Sequence, residues 1–459
     1  MNAAPPAAPA LAVPLEAIRT CLEGLIPSLL ASCSADGVPN VTYVSHVMYV
    51  DARHVALTFQ FFNKTRENIL ANPFVSAFVG DTSCGTRYLL KLRYLRTEDS
   101  GPTFESMKAR LAGIASHSGM TGVFRLRGAD IYEVQAIDAL PGPRIRPPER
   151  RYAPMSAVRQ IAQRIAAAPD LRALLDDALA ALEEHLHVQH AKVLLLEAGS
   201  GRAPRLYTVA SRGYDASGVG SEIALGEGVI GVAAREAVPI RIMHATSEYT
   251  YSRTAREQWI ASGAADQLET EIPLPGLAQP ASQLAVPIVL GRRTVGVLYV
   301  ESEETARFTF EDEDALLAIA THLGATIAAL QTAADSNEDT VQSTVTAEPA
   351  RGEPVVVRRY AFNDSVFVDN EYLIKGVAGA ILWKLAREHA AGRRADFTNR
   401  ELRLDPALKL PDISDNLEAR LILLARRLEE RVPSIRIVKT GRGRFRLDVT
   451  RPLRLTEEA

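Results

Sequence analysis

The stretch FFNKTRENILANP, residues 61–73, overlaps the end of an apolar run, HVALTFQFF (54–62), and changes character within three residues. The run has the composition of a buried strand, whereas Lys64 to Ala71 reads as a helix with Asn63 as its N-cap. Asn63, Lys64, Thr65 and Arg66 thus place four hydrogen-bonding side chains at the positive end of a helix dipole. Such a corner can hold a phosphate, and it is equally compatible with an ordinary capped helix carrying solvated basic residues.

Outward from this corner, residues 28–62 read as a β-meander, SLLASCSADG turning at Asp36-Gly37 into PNVTYVSHVMYV and turning again near Asp51. Further strands are expected at PFVSAFVGD, RYLLKLRYL and GVFRLRGADIYEVQAI, with a helix, FESMKARLAGIASHSG, inserted before the last. Many strands with one inserted helix predict a small barrel.

Two stretches divide the 459 residues: the proline-rich LPGPRIRPPERRYAP (140–154) and the polar DSNEDTVQSTVTAEPARGEP (335–354). They leave three folded segments, 15–139, 155–332 and 355–455, predicting a multidomain α+β protein. Hydrophobic residues at 47% and charged residues at 23% suit a water-soluble globular chain. No uninterrupted apolar run of membrane-spanning length is read, and Cys21, Cys33 and Cys84, without C-x-x-C spacing, suit reduced thiols; a cytoplasmic protein is expected. Net charge is uneven: from Arg351 onward there are 22 Lys+Arg against 16 Asp+Glu, leaving 30 against 39 elsewhere. The positive balance at the C-terminal end points to an anionic partner, nucleic acid first.

The order ADG-x-PN, a strand, FFNKTRENI-x-x-NP, GPTFESMKARL and a closing VFRLRGADIYEV resembles the pyridoxamine 5'-phosphate oxidase-like, FMN-binding split barrels over most of residues 20–139. The resemblance implies FMN as cofactor, with its phosphate at Lys64, flanked by Asn63, Thr65 and Arg66, and Thr58 as a further contact. It implies backbone contacts to the flavin ring from about Val41 to Val44, and a homodimer. The substrate-anchoring arginine and histidine set of the oxidases is not located, so a flavin held as sensor or redox group is expected ahead of turnover. The competing class is a flavin-dependent oxidoreductase with regulatory appendages.

In the second segment an apolar stripe, Val158, Ile161, Ile165, Leu171, Leu174, Leu175, Leu179 and Leu182, is interrupted at Pro169-Asp170 and followed by strands AKVLLLEAG and PRLYTVASRG. With LGEGVIG, LAVPIVLGRRTVGVLYVES and F-x-x-E-D-x-x-L it resembles a GAF domain. Gly226 and Gly228 are expected to serve a turn before a short helix. The resemblance implies a small-molecule ligand lined from residues 240–270, including Tyr249, Tyr251, Trp259 and Asp266, which are equally explicable as a packed lid. In EEHLHVQH, His187 and His190 share a helix face only if the helix runs that far, so a solvated helix end is expected.

The third segment reads as short strands (355–374), a helix KGVAGAILWKLAREHAAG with Val377, Ile381, Leu382 and Leu385 inward, a Thr398–Glu401 capping box, a helix from ISDNLEARLILLARRLEERVP, and a hairpin around Thr440-Gly441. Leu417, Leu421, Leu424 and Leu428 are expected inside, with Arg420, Arg427 and Arg431 on a more exposed face. The pattern resembles the winged-helix DNA-binding domain of OmpR/PhoB-type regulators. That implies contacts to double-stranded DNA from Arg420, Arg426, Arg427 and Arg431 on the helix and from Lys439, Arg442 and Arg444 on the wing.

Overall fold

The computed structural model describes residues 11–22, 28–60, 63–81, 84–117, 125–146, 152–197, 203–242, 272–336, 352–392, 394–408, 410 and 417–458. After a 3-10 turn (Leu15–Leu22) come β1 (Ser28–Cys33), β2 (Pro39–Val44), β3 (Val47–Tyr49), β4 (His54–Phe59), α1 (Lys64–Ala71), β5 (Phe74–Gly80), β6 (Arg87–Glu98), α2 (Pro102–His117) and β7 (Gly128–Ala139). The strands pair antiparallel in the order β2-β1-β5-β6-β7-β4-β3. The two end strands are joined through Ser45 and His46 alone. Six strand spacings in a flat sheet would separate those ends by ~29 Å, a gap the two residues cannot bridge, so the sheet must curl on itself. The run 39–50, read as one strand, is therefore broken in two where the curl closes. Leu30, Val55, Leu57, Leu90, Leu92 and Tyr132 fill the interior.

The second unit comprises α3 (Pro154–Ala166), α4 (Leu171–Leu186), β8 (His190–Glu197), β9 (Arg205–Arg212), β10 (Glu222–Ala224), α5 (Gly228–Glu236), β11 (Ile240–Ile242), β12 (Ser282–Leu290), β13 (Arg293–Ser302) and α6 (Phe310–Ser336). Its antiparallel sheet has the order β10-β9-β8-β13-β12-β11. Asp170 starts α4, its side chain accepting from the Ala173 amide, and the leucines of the expected stripe are buried. Gly226 and Gly228, at φ +85° and +58°, make the turn before α5. By length and composition alone, the segment Phe310–Thr332 of α6 is long and apolar enough to cross a membrane, and its first turn carries Glu311, Asp312 and Glu313. Here α6 lies on β12 and α3, with Leu316, Ile319, Leu323 and Ile327 buried.

The third unit runs β14 (Val355–Tyr360), β15 (Ser365–Val368), β16 (Glu371–Ile374), α7 (Gly376–Gly392), β17 (Asp396–Thr398), α8 (Asn399–Leu404), α9 (Leu417–Arg431), β18 (Ile435–Gly441), β19 (Arg444–Val449) and β20 (Leu453–Glu458). The hairpin turns at Arg442-Gly443 rather than at Thr440-Gly441, because Gly443 supplies the positive φ, +63°. An unanticipated strand, β20, pairs in parallel with β14 and closes a four-stranded sheet.

Two junctions tie the units together. At the first, α2 packs on α5 and β11, and Glu313 at the start of α6, 4% exposed, receives Arg110 at 3.1 Å and Arg241 at 2.9 Å. Burial drives the Glu313 carboxyl upward, and the two guanidinium groups more than reverse this, holding it below the usual carboxylate range. At the second, α9 packs on α4 and β9, and the buried apolar residues of the second and third units form one continuous cluster.

Candidate functional site

At the start of α1 the chain behaves as its sequence suggests: Asn63 is extended and its side chain accepts from the Arg66 amide at 3.1 Å. Lys64 is exposed beside it. The other expected contacts turn inward. Arg66 donates to both oxygens of Asp130 at 2.8 Å and to Thr97 at 2.7 Å, with its guanidinium 4.4 Å from the Phe59 ring centre. Burial alone would lower the Arg66 pKa, but Asp130 outweighs it and holds it above its ordinary value. Arg66 is thus committed to an internal ion pair, contrary to its expected place among the phosphate ligands. Thr65 is buried and accepts from Asn40 Nδ2 at 2.8 Å, while Thr58 Oγ1 accepts from the His46 amide at 3.3 Å. Lys64 and the helix start remain open to an anion, next to β2, an end strand on which Val41 and Tyr43 are exposed.

At the break between β2 and β3, His46 is 3% exposed and neither ring nitrogen has a hydrogen-bond partner. Burial, reinforced by the positive charges of Arg110 and Arg241, pushes its pKa down to about 3, so the ring is neutral. Gln60 is also buried, donating to Ser45 Oγ at 2.7 Å with its Oε1 unpartnered.

In the second unit Tyr249, Tyr251, Trp259 and Asp266 lie outside the described residues. A group that sequence reading missed does lie within them: Lys192 on β8, 1% exposed, is 3.6 Å from Glu301 and donates to the Pro275 carbonyl. The Tyr214 and Tyr299 rings flank it at 4.8 and 4.7 Å. Burial lowers the lysine pKa, Glu301 offsets part of that, and the outcome is about 8. A lysine inside the apolar run AKVLLLE was the available signal. His187 caps α4 with φ +52°, so α4 ends before it and the EEHLHVQH histidines do not line one helical face.

The basic residues of the third unit divide by accessibility. Arg420 and Arg427 are 5% and 4% exposed, and Arg426 is mostly covered, donating to the Val209 carbonyl at 2.9 Å and to Asp176 at 2.7 Å. This corrects the expectation that Arg420 and Arg427 occupy an outward face. Leu417, Leu421, Leu424 and Leu428 are buried as read, but so are Ala419, Ile422, Leu423 and Ala425, because α9 is covered by its own unit on one side and by α4 and β9 on the other. Arg431, Lys439 and Arg442 are exposed and Arg444 is half-buried.

Residues 14–135 match the family model described as pyridoxamine 5'-phosphate oxidase, and residues 168–328 match the GAF domain model. The chain therefore contains an oxidase-like N-terminal segment followed by a GAF domain. Comparison with curated proteins gives no match. Among solved structures, the GAF domain of an Acinetobacter phosphoenolpyruvate-protein phosphotransferase is 24% identical, covering 40% of this chain and 97% of that one at a TM-score of 0.31. Free methionine-R-sulfoxide reductase from Neisseria meningitidis, in complex with its substrate, is 21% identical over 39% of this chain and 91% of that one, TM-score 0.30. An FMN-binding protein from Syntrophomonas wolfei is 16% identical over 29% of this chain and 88% of that one, TM-score 0.25.

Proposed function

We propose that the chain is a cytoplasmic transcriptional regulator, acting as a homodimer, that couples a flavin in the barrel and a small molecule in the GAF domain to double-stranded DNA bound by its C-terminal unit. The observation that carries this reading is that unit's architecture. Three helices, α7, α8 and α9, are followed by a basic hairpin, and α9 bears Arg420, Arg426, Arg427 and Arg431. A helix with flanking wing is a recurrent device for entering a groove and gripping the backbone beside it.

The barrel's part in the reading rests on Lys64. Lys64 is the exposed first residue of α1, whose first two amides, ahead of the Asn63-capped Arg66 amide, lack intrahelical acceptors, and these groups suit a terminal phosphate. The end strand β2 offers backbone groups for the alternating donors and acceptors of an isoalloxazine ring. Arg66 does not take part. When bound, a flavin supplies a one- or two-electron redox group.

The test uses full-length protein. Added FMN is expected to be retained with a shifted visible spectrum, and Lys64→Glu to retain it at least roughly tenfold more weakly, the worth of one charge-assisted contact, with an unchanged melting temperature. Duplex binding is expected to weaken steeply with salt, by about 0.9 logarithmic units per tenfold salt for each phosphate engaged. Protein that neither retains flavin nor binds duplex contradicts the proposal.

A further inference from the structure

Four carboxylates of the GAF domain meet four cations of the C-terminal unit. Asp170 lies 3.3 Å from Lys439, which is equally close to Glu418 of its own unit, Asp176 2.7 Å from Arg426, Glu197 3.1 Å from Arg420, and Glu222 3.6 Å from Lys375. The acids come from the N-cap of α4, α4 itself, the end of β8 and the start of β10. Three of their four partners sit on α9 and on the hairpin that follows it. Arg172 adds a two-pronged pair with Glu429, at 2.9 and 2.8 Å, and Ser217 donates to Glu430 at 2.5 Å. Between the two surfaces lie a cavity of about 30 Å³ beside Glu197 and Arg420 and a larger one of about 140 Å³ beside Asp170, Arg172 and Lys439.

Taking the reading of α9 as a duplex-contacting helix as its premise, we propose that this row of carboxylates occupies the basic surface in place of phosphate. The GAF domain and DNA then compete for the same side chains, and the arrangement seen here is the closed form of the regulator. The geometry is exclusive at Arg420, 5% exposed and paired with Glu197, which cannot reach a backbone phosphate while α9 stays against β9; Arg427 is held within its own unit, donating to the Leu373 carbonyl. The Arg420–Glu197 pair cannot part while α9 stays covered, since a buried guanidinium that loses its carboxylate keeps its desolvation cost. Apparent duplex affinity is therefore the intrinsic affinity reduced by the fraction of molecules in the open arrangement.

The experiment compares the full-length wild type with a variant carrying Asp176→Asn, Glu197→Gln and Arg172→Glu, all on the GAF side and none on the surface offered to DNA. Radius of gyration reports opening by small-angle scattering, and anisotropy with a random-sequence duplex pool reports binding. The variant is expected to expand and to bind on the order of tenfold more tightly than the wild type. An expanded variant that binds no better than a binding-competent wild type overturns the competition and leaves the DNA reading intact. Expansion with no binding by either protein overturns the DNA reading and the inference with it. A variant that stays compact shows that the acids do not hold the unit shut. Circular dichroism checks folding; if the triple variant is unfolded, Asp176→Asn with Glu197→Gln makes the same comparison.

Discussion

His46 is a buried group with a measurable signature. Its ring is unpartnered and carries a pKa pushed down to about 3, against 6.5 in an unfolded chain. Below pH 6.5 the unfolded state binds a proton that the folded state refuses, so stability falls as pH falls towards 3. His46→Leu should flatten the dependence of urea-unfolding free energy on pH between 4 and 6 by up to about 1.4 kcal/mol per pH unit, the worth of one proton. An unaltered slope contradicts the assignment. At this scale the sequence was readable where the partner is local. Asn63 was legible as a cap because its acceptor role is fixed three residues away, whereas Arg66 was misread because Asp130 lies 64 positions on. The pairings of β7 with β4 and β6, which set Leu57 and Thr97 opposite Asp130, deliver that carboxylate, and no spacing rule encodes them. Lys192 was passed over in the same way, its Glu301 arriving through the β8–β13 register.

Among the elements, α8 was the most legible, since T-x-x-E states its own start. Thr398 accepts from the Glu401 amide, and the Glu401 side chain returns to the Thr398 amide. Thr398→Ala should cost about 1 kcal/mol in denaturant unfolding of the C-terminal unit, with little change in the barrel. A cost near zero means the cap is replaced by solvent. The stripe of α9 was also read correctly, yet its outer face was not. Ile422 and Leu423, outside the leucine stripe, carried the missed message that this helix is apolar on most sides and must be covered on both. Strand β20 escaped because its partner, β14, is nearly 100 residues earlier.

At the scale of the whole molecule, the cores predict how the units melt. The barrel has its own buried clusters, with Ala109 of α2 joining the other face of the GAF domain, while the GAF domain's helical face and the C-terminal unit share a larger one. Calorimetry should resolve two transitions rather than three. Leu424→Ala, which empties a fully buried site on α9, should lower the shared transition by about 2–5 kcal/mol of stability and leave the other in place. A third transition, or a shift in both, contradicts this division. The order of the units along the chain carries a further consequence. Asp170, Asp176, Glu197 and Glu222 all leave the ribosome well before α9, so the GAF domain can be folded while the basic helix is still being translated. If the C-terminal unit is the duplex reader proposed above, its newborn helix meets the carboxylates of its own polypeptide first, and the competition with DNA is engaged from synthesis onward.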